Sequence, residues 1–186
     1  MPERQRTAEF ADRFVLPDGT PVRMRAVAAG DRQLLQDMYT DLSHRSRYRR
    51  FFTTPQRLTE PTLDHLVDDV DQVDHVAVVM FAPAGDDGEE AVGVGRIIRY
   101  AADPTTADIA LAVADEWQGR GVGSALARTL VAHRPAGVTR LVTIVATGND
   151  ASLAVLAGLG TVERTPAGNG VDDVTVALVV EDGPGG

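Results

Sequence analysis

The chain of 186 residues contains no cysteine, and all 18 of its basic residues other than histidine are arginine, so lysine is absent too. Without cysteine there is no disulfide, no zinc–thiolate site and no thiol nucleophile. Without lysine there is neither a Schiff base nor the Gly-Lys-Ser/Thr of a phosphate-binding P-loop. No apolar run approaches the length that spans a bilayer, which predicts no membrane segment. These absences exclude several large enzyme classes.

Two further classes lack their motifs. The four histidines, His44, His65, His75 and His133, form no H-E-x-x-H, and no serine lies in G-x-S-x-G, so we predict neither a metal site nor a hydrolase triad. The net charge of −9 argues against nucleic acid as a main partner, because phosphate binding needs a basic face. No apolar segment follows the charged N-terminus, so we expect no signal peptide and a cytoplasmic protein.

The remaining composition, 44% apolar, suits one compact domain. We predict that this domain spans residues 10–181, between disordered tails at 1–9 and 182–186. The hydrophobic patterns predict a hairpin over 14–27, three helices between 31 and 70, and strands at 75–81, 91–100 and 107–114. A helix at 121–133, a strand at 140–146, a helix at 150–159 and a strand at 174–180 follow. This order predicts an α/β (α+β) fold with a mixed sheet.

A glycine-rich segment joins the strand at 107–114 to the helix at 121–133. Glycines let the backbone approach a ligand, and the helix start presents unpaired N–H groups, so the segment is suited to phosphate. A dinucleotide motif fails because Ser124 occupies its last glycine position. The pattern Q/R-x-x-G-x-G/A fits at Gln118, Gly121 and Gly123. An ordinary glycine-rich turn is the alternative interpretation.

This segment resembles the acetyl-CoA pyrophosphate loop of the GNAT N-acetyltransferase superfamily. The resemblance implies a single GNAT-like domain whose mixed, mostly antiparallel twisted sheet carries helices on both faces. It also implies acetyl-CoA as cosubstrate, without a metal, and an oxyanion donor in the main chain near Val113. Asn149 matches the asparagine that bonds the pantetheine arm, although it could instead cap the following helix. The predicted cofactor-binding residues are Val113, Gln118, Gly119, Arg120, Gly121, Val122, Gly123, Ser124 and Asn149.

Residues 41–52 are similar to a Leu-Ser-x-x-Ser-x-Tyr-x-Arg-Phe segment of bacterial protein-lysine acetyltransferase domains. The spacing of Tyr48, Phe51 and Phe52 predicts an amphipathic helix that buries these rings and turns its arginines to water. We expect Arg120 to face the pyrophosphate.

Acetylation of an amine needs a general base, because the amine is protonated near neutral pH. In the resembled enzymes a glutamate near the start of the strand before the loop is the base, and Asp108 holds the matching position. Its shorter side chain would act through a water. Glu90, Asp115 and Glu116 are alternative bases, and a solvated carboxylate without catalytic role is the other interpretation of Asp108.

These residues predict an N-acetyltransferase that moves the acetyl group to a primary amine by direct attack in a ternary complex. A protein lysine is slightly favoured over a small-molecule amine, and a homodimer is one possible assembly. The alternative is a non-catalytic acyl-CoA-binding sensor or regulatory module, which would keep the loop but need no base.

Overall fold

The computed structural model of the protein describes residues 11–86 and 88–179. The tails predicted at 1–9 and 182–186 lie outside this part, as do residues 10, 180 and 181 of the predicted domain. No helix within the described part has the length and apolar character needed to cross a bilayer.

A single sheet organises the described residues, and its eight strands lie in the spatial order β1-β2-β3-β4-β5-β6-β8-β7. The strands are β1 (Ala11–Val15), β2 (Pro21–Ala26), β3 (His75–Ala84), β4 (Gly88–Arg99), β5 (Thr106–Val113), β6 (Arg140–Ala146), β7 (Gly160–Gly168) and β8 (Val171–Leu178). Neighbouring strands are antiparallel except β5 and β6, which are parallel. The sheet is therefore mixed and mostly antiparallel, as predicted.

Helices cover both faces of this sheet. They are α1 (Arg32–Asp41), α2 (His44–Phe51), α3 (Glu60–Leu63) with a π-helical turn at Asp64–Asp68, α4 (Val122–Ala132) and α5 (Asp150–Ala157). Because side chains alternate along a strand, β3 sends Val78 and Met80 to a core with α4, and Val79 and Phe81 to a second core with α1 and α3. Strands of the sheet centre are thus buried on both faces.

Helix α4 packs against glycines of β4. A Cβ added at Gly93 would come within 2.8 Å of the Leu126 side chain, and one at Gly95 within 2.8 Å of the Leu130 side chain, so a larger residue would displace these buried leucines. Leu126 and Leu130 have no exposed surface. This packing fixes the start of α4 beside the end of β5.

Strand β7 was not predicted from the sequence, and β8 begins three residues earlier than the predicted strand at 174–180. β7 lies at the edge of the sheet, where most of its side chains are exposed, so it lacks the apolar alternation of a half-buried strand. It also contains Pro166, which argues against a strand except at an edge.

Candidate active site

The parallel strands β5 and β6 are paired only at their beginnings, through Thr106–Asp108 and Arg140–Val142. Beyond Asp108 they separate, although β5 continues to Val113. The Ala114 N–H donates to the Val92 carbonyl at 3.0 Å, so alternation along β5 turns the N–H of Val113 the other way, toward β6. The gap between the strands therefore exposes main-chain donors that have no partner strand.

A cleft of about 730 Å³ runs through this gap. Its α4 side consists of the segment before α4 and the first turn of that helix, and its α2 side consists of α2 with Asp108. The α4 side is lined by Gln118, Gly119, Gly121, Gly123 and Ser124, and the α2 side by Ser46, Arg49, Arg50, Phe51, Phe52 and Asp108. The predicted loop and the predicted base thus open onto one cavity.

Glycine is required in this loop for two physical reasons. Gly119 and Gly121 have φ of 75° and 92°, a region that side-chain-bearing residues rarely adopt. Gly123 has an ordinary φ, and a Cβ there would lie 3.5 Å from Val155 and 3.8 Å from Val113, so it would occupy the cleft without straining the backbone. The first turn of α4 therefore presents its N–H groups to open space, as an anion site requires.

Two residues of the predicted loop turn their side chains away from the cleft. Arg120 donates to Asp18 at 2.7 Å and to Thr20 at 3.0 Å, and its guanidinium lies 3.9 Å from the centre of the Trp117 ring. The Arg120 side chain thus ties the loop to the β1–β2 turn, and its contact with a pyrophosphate stays a prediction. Val122 is in the core at 1% exposure, so only its main chain could serve a ligand.

Asn149 lines the cleft from the start of α5 and is buried. It occupies the cap position of the helix, but its side chain accepts no backbone N–H. Instead its amide donates to the Ser152 hydroxyl at 2.7 Å. Capping therefore does not explain this asparagine.

Asp108 is the carboxylate of the α2 side. Burial raises the pKa of Asp108 above its ordinary value, and the positive charges of Arg50 and Arg96 offset part of that rise. Within the described chain no basic group lies within 4 Å of it. A partly buried carboxylate with a raised pKa is suited to take a proton near neutral pH.

The alternative bases have other structural roles or positions. The Asp115 carboxylate accepts from the Ser43 N–H, the Ser43 hydroxyl and the Ser46 hydroxyl, each at 2.7 Å, and these bonds lower its pKa despite burial. Glu90 accepts from the indole N–H of Trp117 at 3.0 Å. Glu116 is exposed and does not line the cleft. Asp108 is the only one of the four predicted carboxylates that lines it.

The bonds at Asp115 belong to a network that connects α2 to the loop. The Gln118 amide donates to the Ser46 hydroxyl at 3.0 Å and to the Val113 carbonyl at 3.2 Å. We call Ser43, Ser46, Asp115 and Gln118 the serine bridge. Its two serines were present in the Leu-Ser-x-x-Ser pattern, but only the folded chain places them opposite Asp115.

The prediction that α2 buries its rings and turns its arginines to water holds only in part: Phe51 packs against the second core, with its ring centre 5.2 Å from that of Tyr39. None of its residues is fully buried; the Tyr48 ring is 41% exposed, and Phe51 and Phe52 are half-buried beside the cleft. Arg49 and Arg50, expected to face water, also line the cleft. Hydrophobic periodicity indicates which residues contact a core, so it could not predict that these arginines line a cleft.

The described residues thus combine a glycine-rich loop at the start of a helix, a split sheet and a cleft between them. The model of the Acetyltransferase (GNAT) family matches residues 33–160, which is more than half of the chain. The chain therefore belongs to the GNAT acetyltransferase family, which confirms the family predicted from the glycine-rich segment.

Individual relatives agree with this family. The chain is 32% identical over 166 residues to Acetyltransferase Pat of Mycolicibacterium smegmatis, covering 86% of the chain and 47% of that relative. It superposes on the GNAT domain of S. lividans PAT with a TM-score of 0.77 and 28% identity, over 92% of the chain and 98% of that domain. The cAMP-binding acyltransferase from Mycobacterium smegmatis superposes with a TM-score of 0.61 and 26% identity, over 93% of this chain and 48% of that protein. The chain thus spans about half the length of the curated relative it matches.

Proposed function

We propose that the protein transfers the acetyl group of acetyl-CoA to a primary amine by direct attack in a ternary complex. This proposal depends on one observation: the glycine-rich loop before α4 and Asp108 line the same cleft, the loop on its α4 side and Asp108 on its α2 side. The cleft lies where β5 and β6 separate. The cleft therefore has room for two substrates that approach each other through the sheet.

The α4 side fits the cosubstrate, which supplies an acetyl thioester. The N–H groups of the first turn of α4 would bind the pyrophosphate, and the absent side chain at Gly123 leaves the space for it. Asn149 would bind the pantetheine arm. The Val113 N–H, turned toward the gap, would donate to the oxygen of the acetyl group as negative charge develops there.

Asp108 would remove the proton of the acceptor amine, whose pKa is near 10 for a lysine. Leu156 stands where many members of the family carry a tyrosine, so no acid is assigned to the departing thiolate. A thiol with a pKa near 8.5 leaves as an anion without one. The proposal therefore assigns a chemical role to two groups of this chain, the Asp108 carboxylate and the Val113 N–H.

A protein lysine is the proposed acceptor, slightly favoured over a small-molecule amine. The support is the likeness of residues 41–52 to protein-lysine acetyltransferase domains, together with the position of this segment as one wall of the cleft. The acceptor would then be held against Phe51, Phe52 and the arginines of α2.

The test is release of CoA from acetyl-CoA with a panel of lysine peptides and small amines. Asp108→Asn removes the base but keeps the size, so turnover should fall by about two to four orders of magnitude while acetyl-CoA affinity is retained. The matched control is Asp37→Asn, an exposed carboxylate on α1, which should leave turnover unchanged. Equal turnover of Asp108→Asn and the parent would contradict the role of Asp108. Tight acetyl-CoA binding without CoA release for any amine would favour the binding-module alternative.

A further inference from the structure

The α2 side of the cleft has an excess of positive charge. Arg49, Arg50 and Asp108 line it, and Arg96 lies buried close enough to Asp108 to act on its pKa. Among the described residues, none of these three arginines has a carboxylate within 4 Å. This charge is unusual beside a site that receives an amine, because an amine arrives as a cation.

The three arginines differ in how well their donors are satisfied. Arg96 donates to the Leu66 carbonyl at 3.1 Å and contacts the His75 ring nitrogen at 3.0 Å. Arg50 has no such bond with any described residue; its guanidinium lies 4.7 Å from the centre of the Phe51 ring. Burial lowers the pKa of Arg50, and Asp108 offsets part of that effect.

A guanidinium carries five N–H donors, and leaving them without acceptors in a partly dehydrated site costs free energy. The planar arrangement of these donors matches a carboxylate, which can accept two of them at once. Arg50 therefore offers a carboxylate site in the same chamber where Asp108 offers a site for a cationic amine. The chamber is complementary to a molecule that carries both charges.

We propose that the acceptor carries a carboxylate beside its reactive amine and that Arg50 binds this carboxylate, with Arg49 adding to the attraction. This inference rests on the proposed function and narrows its substrate class. The chemistry is that of a lysine with a neighbouring acidic side chain, or of a free amino acid. It disfavours polyamines, whose further positive charges would lie against the arginines.

The test compares acceptors that differ only in the group beside the lysine. Peptides with Glu, Gln or Arg next to a single lysine, and free lysine against cadaverine, are assayed for kcat/KM at saturating acetyl-CoA. Each rate is divided by that of the Gln peptide, so that any general effect on catalysis cancels. The peptide and amino-acid arms distinguish the two sources of the carboxylate.

The parent should prefer the Glu peptide, or free lysine in the other arm, by about ten- to hundredfold, the range of a hydrogen bond between charged groups. Arg50→Gln should reduce this preference to about threefold or less, and Arg50→Glu should reverse it toward the Arg peptide or cadaverine. The matched control is Arg45→Gln, because Arg45 lies on the same helix, exposed and outside the cleft. It should keep the parent's preference.

Three results would overturn the inference. The first is that the parent acetylates the Glu and Arg peptides at equal rates and free lysine and cadaverine at equal rates. The second is that Arg50→Gln keeps the parent's preference, and the third is that Arg50→Gln loses affinity for acetyl-CoA. The last would assign the arginine to the cosubstrate. Failure of the proposed function is distinguishable through binding of labelled peptides to the CoA-bound protein. If no acceptor is acetylated but the Glu peptide binds the parent and not Arg50→Glu, the inference stands and the transferase proposal fails.

Discussion

The two sides of the cleft are built in different ways. On the α4 side the helix packs on glycines of β4, Leu126 and Leu130 are completely buried, and the loop ends in glycines of fixed conformation. On the α2 side the helix has no fully buried residue, and its rings and arginines are half-exposed to the cavity. One side is part of the core, and the other is a wall attached to it.

This difference fits the ligand that we propose for each side. A pyrophosphate offers the same geometry every time, so rigid main-chain N–H groups suffice to bind it. An acceptor brings its own shape and charge, so long side chains such as Arg49 and Arg50 are better suited to it. Under the proposed function, the α4 side would bind the cosubstrate through its main chain, and the α2 side would select the acceptor through its side chains.

The largest contrast should appear in stability. Leu126→Ala removes a side chain with no exposed surface and should cost about 2–5 kcal/mol of unfolding free energy. Phe52→Ala should cost roughly 1–2 kcal/mol, because the ring is only half-buried and its edge contact with Tyr48 is 6.0 Å between centres. Denaturant unfolding measures both. A larger cost for Phe52→Ala than for Leu126→Ala would contradict the distinction between core and wall.

A second contrast concerns affinity for acetyl-CoA. Gly123→Glu should weaken binding by about tenfold or more, because its side chain enters the phosphate space and repels the charge there. Gly123 is the sharper position, since Gly121 has φ of 92° and an added Cβ would lie 2.9 Å from Pro17, which would also disturb the fold. The control is Gly30→Glu, an exposed position with open space around it. Calorimetry that finds equal affinities for the two folded variants would remove the cofactor site from this loop.

The smallest effect should be a displacement of the pH profile. Asp108 acts only when ionised, so turnover falls as the pH drops through its raised pKa. Arg50 lowers that pKa, and Arg50→Gln should therefore move the acidic limb of kcat/KM to higher pH. The Gln peptide is the acceptor for this measurement, and Arg45→Gln is the reference. A limb that stays in place, or moves to lower pH, would mean that Asp108 is not the group being titrated.

The sequence predicted the backbone of the loop on the α4 side and the carboxylate Asp108, but not the surroundings of Arg120 or of the α2 side chains. Glycines at 119 and 121 follow from local backbone requirements, and the pattern of β5 and α4 from burial, so both could be predicted from neighbouring residues. The direction of the Arg120 side chain depends on Asp18, 102 residues away in the sequence, and could not be predicted in this way. The same holds for α2, whose arginines acquire their surroundings only when β5 is placed beside them.

The serine bridge joins the two sides of the cleft through hydrogen bonds. Ser43 and Ser46 donate to Asp115, and Gln118 donates to Ser46, so a ligand that displaced α2 would also displace the loop. Thermodynamic linkage then requires reciprocity: whatever factor acetyl-CoA contributes to acceptor affinity, the acceptor returns to acetyl-CoA. In the proposed ternary complex, these four polar side chains would thus couple the binding of acetyl-CoA to that of the acceptor.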